Sequence, residues 1–318
     1  MASPPNRVDD ASAAALDAAN AAANAATIDA AIGQVARAIF ESEALLITAG
    51  AGMGVDSGLP DFRGDRGFWR AYPAYEKLGL SFSDLANPRW FQRDPTLAWG
   101  FYGHRLNLYR KTQPHAGFAI LQRWAARMTR GAYIFTSNVD GQFQRAGFAD
   151  DRVVEVHGGI QYLQCLALCQ PRIFAAPQPA AGHDDVVQVD AQTFRAVGPL
   201  PSCPQCGGLA RPNILMFNDG QWLTDRYAQR SDRMRAWLSR LPQQKLVIVE
   251  LGAGGSIPTV RLFGEQVMYV RDALLVRINP REPEVPSDGR AVRIARGARD
   301  ALSAIDAVLE TLGGPAST

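Results

Sequence analysis

The chain is short of several things that would have fixed its class at once. Only four cysteines occur in 318 residues, all between positions 165 and 206, so no disulfide framework holds the whole chain. No apolar run reaches the roughly eighteen residues that a membrane-spanning helix requires. Charge of one sign is also lacking: 33 Lys and Arg stand against 31 Asp and Glu, a net charge of +2. That balance argues against nucleic acid or a membrane surface as the main partner. There is no internal repeat. The first 27 residues, "MASPPNRVDDASAAALDAANAAANAAT", are Ala-rich with early acids and lack a continuous Leu/Ile/Val stretch. They resemble neither a secretory signal nor a transit peptide. The expectation is a cytoplasmic protein; the sequence leaves the oligomeric state open, a monomer being compatible with it.

What is present is apolar material for a large core, 47% of all residues, enough for one large domain or a large one plus a small one. The runs "ALLITA" (44–49), "AYIFT" (132–136), "RVVEV" (152–156), "KLVIVEL" (245–251), "VMYV" (267–270) and "LLVRI" (274–278) read as buried strands. Helical patterns fall between them over 28–41, 95–110, 115–129, 258–265 and 298–311. This alternation predicts an α/β fold, a parallel sheet with helices on both faces. The segment 160–211 breaks the rhythm with many Pro and Gly residues and all four cysteines. The predicted organisation is an Ala-rich extension over 1–27, a sheet domain built from 28–159 and 212–318 with a helical insertion at about 65–110, and a small module over 160–211.

Four patterns carry chemistry. "GAGMGVDSGLPDFRG" (50–64) follows the first strand directly, and Gly50, Gly52 and Gly54 permit a tight turn whose backbone approaches a pyrophosphate. A glycine turn without a ligand is the plain alternative. Cys165 and Cys169 lie four positions apart and Cys203 and Cys206 three, a spacing that suits a closed tetrahedral Zn²⁺ site of structural type. Four unrelated buried thiols are the alternative there. His157 in "VEVHGG" ends an apolar strand, where open α/β sheets bind ligands, and its imidazole titrates near neutrality. His104, His115 and His183 lie in helices or in the inserted segment and carry no such signal. Asn138 and Asp140 in "TSNVD" also sit just past a strand, where turn formation is the competing role.

In combination these segments resemble the sirtuins, NAD-dependent protein-lysine deacylases. The resemblance rests on "GAGMGVDSGLPDFRG", "TSNVDGQFQRAG", "VEVHGG", the two cysteine pairs, "RPNILMFND", "ELGAGG" and "RINPRE", in that order from about residue 30 to 310. It implies a Rossmann-like NAD-binding domain with a zinc module, and places His157 as general base with Asn138 beside the reacting ribose. It also implies cofactor contacts from Gly50, Ala51, Gly52, Gly54, Asp61, Phe62, Arg63, Ser137, Asn138, Asp140, Gly252, Ala253, Gly254 and Asn279. The implied reaction consumes NAD⁺ and an acyl-lysine of a protein or peptide, and yields lysine, nicotinamide and O-acyl-ADP-ribose. Members that prefer acidic acyl groups carry Tyr-x-x-Arg, matched by Tyr102 and Arg105 in "FYGHR". A guanidinium grips a distal carboxylate with two parallel hydrogen bonds and a phenol adds a third. On spacing alone, a packed ring beside a solvated cation is the favoured reading; the flanking match to the family reverses it.

Several positions depart from the family pattern. Ser137 stands for Gln, Ala253-Gly254 for Thr-Ser, Asn218-Asp219 for Gly-Glu and Phe143 for His, while Glu250 is unexpected at the end of its strand. These departures keep two alternatives open: an NAD glycohydrolase or ADP-ribosyltransferase on the same scaffold, and a non-catalytic NAD or ADP-ribose sensor.

Overall fold

The computed structural model describes residues 25–61, 64–287 and 289–313. Its strands are β1 (Ala44–Ala49), β2 (Ala132–Thr136), β3 (Val153–Glu155), β4 (Gly158–Cys165), β5 (Ile173–Ala175), β6 (Gln188–Val189), β7 (Ala196–Val197), β8 (Ala210–Ile214), β9 (Leu246–Leu251), β10 (Leu274–Ile278) and β11 (Ala291–Ile294). Helix α1 covers residues 25–41. Short helices α2 (Gly52–Val55), α3 (Gly64–Ala71), α4 (Pro73–Lys77), α5 (Phe82–Leu85) and α6 (Arg89–Arg93) precede the long α7 (Pro95–Lys111). The remainder are α8 (Ala116–Arg127), α9 (Gln142–Arg145), α10 (Asp225–Arg240), α11 (Thr259–Arg271) and α12 (Ala298–Leu312).

Six strands form one parallel sheet in the order β11-β10-β9-β1-β2-β3. β1 lies at its centre, between β9 and β2. Helices cover both faces, α1, α8 and α12 on one and α10 and α11 on the other. Burial on both sides is why these strands read as unbroken apolar runs. The run "VMYV" is the exception: it is the last turn of α11, with Val267 and Met268 buried and Tyr269 and Val270 exposed. Four apolar residues in a row cannot distinguish a helix turn from a strand. No helix of the described residues is long and apolar enough to cross a membrane. Residues 1–24 of the Ala-rich stretch lie outside the described residues.

A second layer sits beside the sheet. β5, β4 and β8 form an antiparallel sheet, and β6 pairs with β7. Only Val156 and His157 separate β3 from β4, so the chain passes from one layer to the other through the histidine. The layer packs on α7 through a glycine: a Cβ on Gly100 would stand 1.9 Å from the Phe194 carbonyl oxygen. Glycine inside a helix costs up to about 1 kcal/mol, and here it permits backbone-to-backbone seating. Tyr75 donates to the same Phe194 oxygen at 2.9 Å, and Asn107 donates to Val187 O at 2.8 Å while accepting from Val186 N at 2.9 Å.

Candidate active site

The carboxyl ends of the central parallel strands open into a cavity of about 660 Å³, within the range of small-molecule sites. Of the residues singled out in the sequence, it is lined by Gly50, Ala51, Asp61, Tyr102, Arg105, Ser137, Asn138, Asp140, His157, Gly252, Ala253 and Gly254. Gly52, Gly54 and Asn279 lie behind that lining. Phe62 and Arg63 lie outside the described residues. Glu282, the last residue of "RINPRE", also lines it, as do Tyr109, Phe82, Ser256 and Ile257, which nothing in the sequence pattern marked.

The floor is a crossing of two loops. Gly52 N donates to Gly252 O at 3.0 Å, and a Cβ on Gly52 would stand 2.7 Å from the Gly252 Cα. Gly252 has φ +60°, and its own Cβ would come within 2.4 Å of the Gly52 Cα. The amides of Gly50 and Gly54 donate to Leu251 O and Ala51 O at 3.0 and 3.1 Å. The three glycine amides expected to face a pyrophosphate therefore bond within the protein. Close passage of the loops is what these glycines serve.

At one end of the cavity three strand-end loops converge. Thr136 donates its hydroxyl to Ala49 O at 2.9 Å and accepts from Asn138 N at 3.0 Å, while Asn138 Nδ2 donates to Gly50 O at 3.0 Å. Asn138 is thereby fixed to the glycine loop through both side chain and backbone. Asp140 accepts from Gln142 N at 2.9 Å. Burial pushes its carboxyl up to about 6, against the pull of that bond and with help from the nearby Glu155 charge. His157 is held by its carbonyl, which accepts from Leu215 N at 2.9 Å. Burial lowers its imidazole below the ordinary range, partly offset by a hydrogen bond with the Ser137 backbone. The ring is thus neutral near pH 7 and able to accept a proton.

α7 adds another part of the lining, close enough for Arg105 to act on the Asp140 charge. Tyr102 and Arg105 are both buried and both face the cavity. The guanidinium carbon lies 5.7 Å from the Tyr102 ring centroid, 5.1 Å from Phe101 and 5.4 Å from Tyr109. Arg105 Nε donates to the Tyr109 hydroxyl at 3.0 Å. A solvated surface arginine is excluded, since only 6% of it is exposed. Burial raises the Tyr102 phenol to about 12, with Arg105 opposing, so it remains a hydrogen-bond donor.

Four of the departures noted in the sequence, Asn218, Asp219, Phe143 and Glu250, acquire physical accounts. Asn218 has φ +58°, a left-handed conformation that Asn tolerates and for which Gly is the usual choice. Asp219 forms a buried ion pair with Arg211, which also donates to Ile214 O at 2.9 Å, bracing the segment 211–219 along the cavity. Phe143 packs in the sheet core against Phe118 and Phe148. Glu250 pairs across adjacent strands with Arg277 at 2.5 Å, and Arg277 donates to Glu265 at 2.8 Å and to Glu284 O at 2.5 Å. Asn279 bonds to Ala253 O, Arg281 N and Glu282 N, each at 3.0 Å. It braces two loops rather than facing the cavity. Asp61 meets Arg281 at 2.6 Å, and Glu282 accepts from Gly255 N at 2.6 Å.

All four cysteine sulfurs lie within 4.8 Å of one another. Cys165 and Cys206 are 3.7 Å apart and Cys169 and Cys203 3.6 Å, far beyond a disulfide bond. A tetrahedral zinc with bonds of about 2.3 Å needs sulfurs roughly 3.8 Å apart, so the donor set fits that ion with no position left for water. His115 caps α8 and reaches Met53 O at 3.0 Å, and His104 lies 3.1 Å from the Tyr72 hydroxyl.

A model of the Sir2 family matches residues 50–237. An NAD-dependent protein deacylase of Aquifex aeolicus is 32% identical over 181 residues, 57% of this chain and 64% of the relative. The mitochondrial NAD-dependent protein deacylase sirtuin-5 of Danio rerio is 32% identical over 183 residues, 55% of this chain and 57% of the relative. The matches thus span less than two thirds of these relatives. A solved complex of a Sir2 homologue with NAD superposes with a TM-score of 0.64 at 25% identity, covering 88% of this chain and 94% of that one.

Proposed function

The chain belongs to the Sir2 family, and from that premise we propose that it is an NAD⁺-dependent protein-lysine deacylase acting on acetyl and on acidic, succinyl- or malonyl-type acyl groups. One observation carries this reading: His157, Asn138 and Asp140 share a single cavity with Tyr102 and Arg105. Its placement in the cytoplasm accords with cysteines that sit as a thiol cluster. NAD⁺ is a substrate here. Asn138 and Asp140 hold the nicotinamide end, and the loops at Gly50–Ala51 and Gly252–Gly254 border the remainder.

The acyl oxygen displaces nicotinamide from the ribose carbon, and His157, neutral at working pH, takes the proton of a ribose hydroxyl. That hydroxyl then attacks the acyl carbon and the lysine amine leaves; water adds to the same carbon, whose bond to the oxygen on the first ribose carbon breaks, leaving the acyl group on the attacking ribose hydroxyl of ADP-ribose. Arg105 and Tyr102 select the acyl chain by gripping its distal carboxylate. The peptide lies along the segment after β8, where Leu215 and Phe217 are exposed beside the cavity; main-chain pairing there gives little sequence selectivity. The cysteine cluster holds zinc as a structural ion. Asn218 and Asp219, which kept a hydrolase reading open, meet the conformational and pairing needs of the segment.

The test is incubation with NAD⁺ and matched acetyl- and succinyl-lysine peptides, followed by mass spectrometry. Lysine and O-acyl-ADP-ribose appearing together support the reading. Nicotinamide release at the same rate without peptide points to a hydrolase, and NAD⁺ binding without turnover points to a sensor.

A further inference from the structure

On α7 the cavity face does not stop at Tyr102 and Arg105. Tyr109 follows four residues after Arg105, so the three side chains stack on one face at i, i+3 and i+7. All three line the same cavity. Tyr109 is 4% exposed, and its hydroxyl oxygen accepts from Arg105 Nε at 3.0 Å. Its carbonyl accepts from Gln142 Nε2 at 3.3 Å, and Gln142 N donates to Asp140, so the backbone of Tyr109 is tied to the loop that carries Asp140.

A phenol that accepts from a guanidinium still has its own proton to donate. Among the described residues no acceptor receives the proton of Tyr109. A buried donor left without an acceptor costs free energy. Burial raises this phenol, with Arg105 opposing, so the proton stays in place at physiological pH. The Asp140 carboxyl lines the same cavity near enough to act on this phenol but does not accept its proton, whereas the distal carboxylate of an acyl chain is an acceptor-only group that could.

We propose that Tyr109 is a further specificity-determining residue: it fixes the guanidinium of Arg105 through Nε and donates its own hydroxyl proton to the distal carboxylate of a dicarboxylic acyl chain. The inference rests on the acyl-carboxylate reading of Tyr102 and Arg105. The acid is then held by two phenols and one guanidinium from a single helix face. A neutral acyl chain gives Tyr109 nothing to donate to.

Tyr109→Phe removes the hydroxyl and keeps the ring. Its expected effect is a fall of about tenfold in the succinyl-to-acetyl ratio of kcat/KM, in line with loss of one hydrogen bond to a charged group. The ratio of peptide Kd values, measured by calorimetry with His157→Ala present so that nothing turns over, should move in the same direction. Tyr109→Met, which also fills the site without a hydroxyl, should reproduce the fall. A purely structural role would lower activity on both peptides by one factor and leave the ratio alone. Arg105→Met run alongside separates the two levels. A selective loss in Arg105→Met with none in either Tyr109 variant overturns this inference alone. No selective loss in any of the three overturns the acyl-carboxylate reading with it.

Discussion

The group of Asn138, Asp140 and His157 and the group of Tyr102, Arg105 and Tyr109 line one cavity, yet they are held in unlike ways. The first hangs from the ends of β1, β2 and β3, whose parallel ladder is buried on both faces. Its short side chains are fixed by backbone partners one strand away, as Asn138 is by Gly50 O. The second is a helix seated on a separate layer by contacts between distant parts of the chain, such as Asn107 with Val187 and Arg195 with Asp94. On the proposed function the chemistry belongs to the sheet, and acyl choice would depend on the layer that carries the four clustered cysteines.

The largest expected effect is on the zinc of that cluster. One zinc per chain should be found by atomic absorption, and structural zinc in small modules contributes roughly 10–16 kcal/mol. Stripping it, or making Cys203→Ser, should collapse hydrogen-exchange protection in β4, β5 and β8 while β1 and β9 keep theirs. Equal loss in both layers would break the contrast. Next in size, His157→Ala should lower turnover by roughly 10²–10⁴-fold, with NAD⁺ affinity by calorimetry nearly unchanged; near wild-type turnover would sink its assignment as base.

A pH effect of about 3 kcal/mol follows from Asp140. Its carboxyl rises from 3.8 to about 6 on folding, so the folded state binds the proton more tightly. That stabilisation is full below pH 4 and is lost as pH rises to 6. In Asp140→Asn, urea melts should lose this slope between pH 4 and 6 while the acceptor for Gln142 N remains. Smallest is Gly100→Val, which overlaps the Phe194 carbonyl and should destabilise by about 1–3 kcal/mol, shifting acyl selectivity before NAD⁺ affinity.

How far the sequence could be read follows the same division. The boundaries of β1, β2 and β10 stood out in the sequence because a doubly buried strand is a nearly continuous apolar run, interrupted here only by Thr48, Thr136 and Arg277. The run at 267–270 misled because a helix turn against a core shows the same four letters. The cysteine cluster was legible because ligand spacing is a local property. Tyr109 was not: an aromatic seven residues from Tyr102 looks like core, and only the bond from Arg105 distinguishes it. Glu250 likewise has meaning only across the ladder, where Arg277 is its neighbour.

The crossing of Gly52 and Gly252 has a consequence for anyone who would re-engineer this protein. Most tight contacts in a core permit a trade, in which one side chain shrinks as its neighbour grows. Here there is nothing left to shrink, because each position already carries the smallest residue and either added methyl group needs the same gap. The pair is a dead end for directed evolution: a library randomised at both positions should return glycine twice, with no compensating double variant. New cofactor preference would have to be sought at Ser256 and Ile257, which are exposed at the cavity's edge.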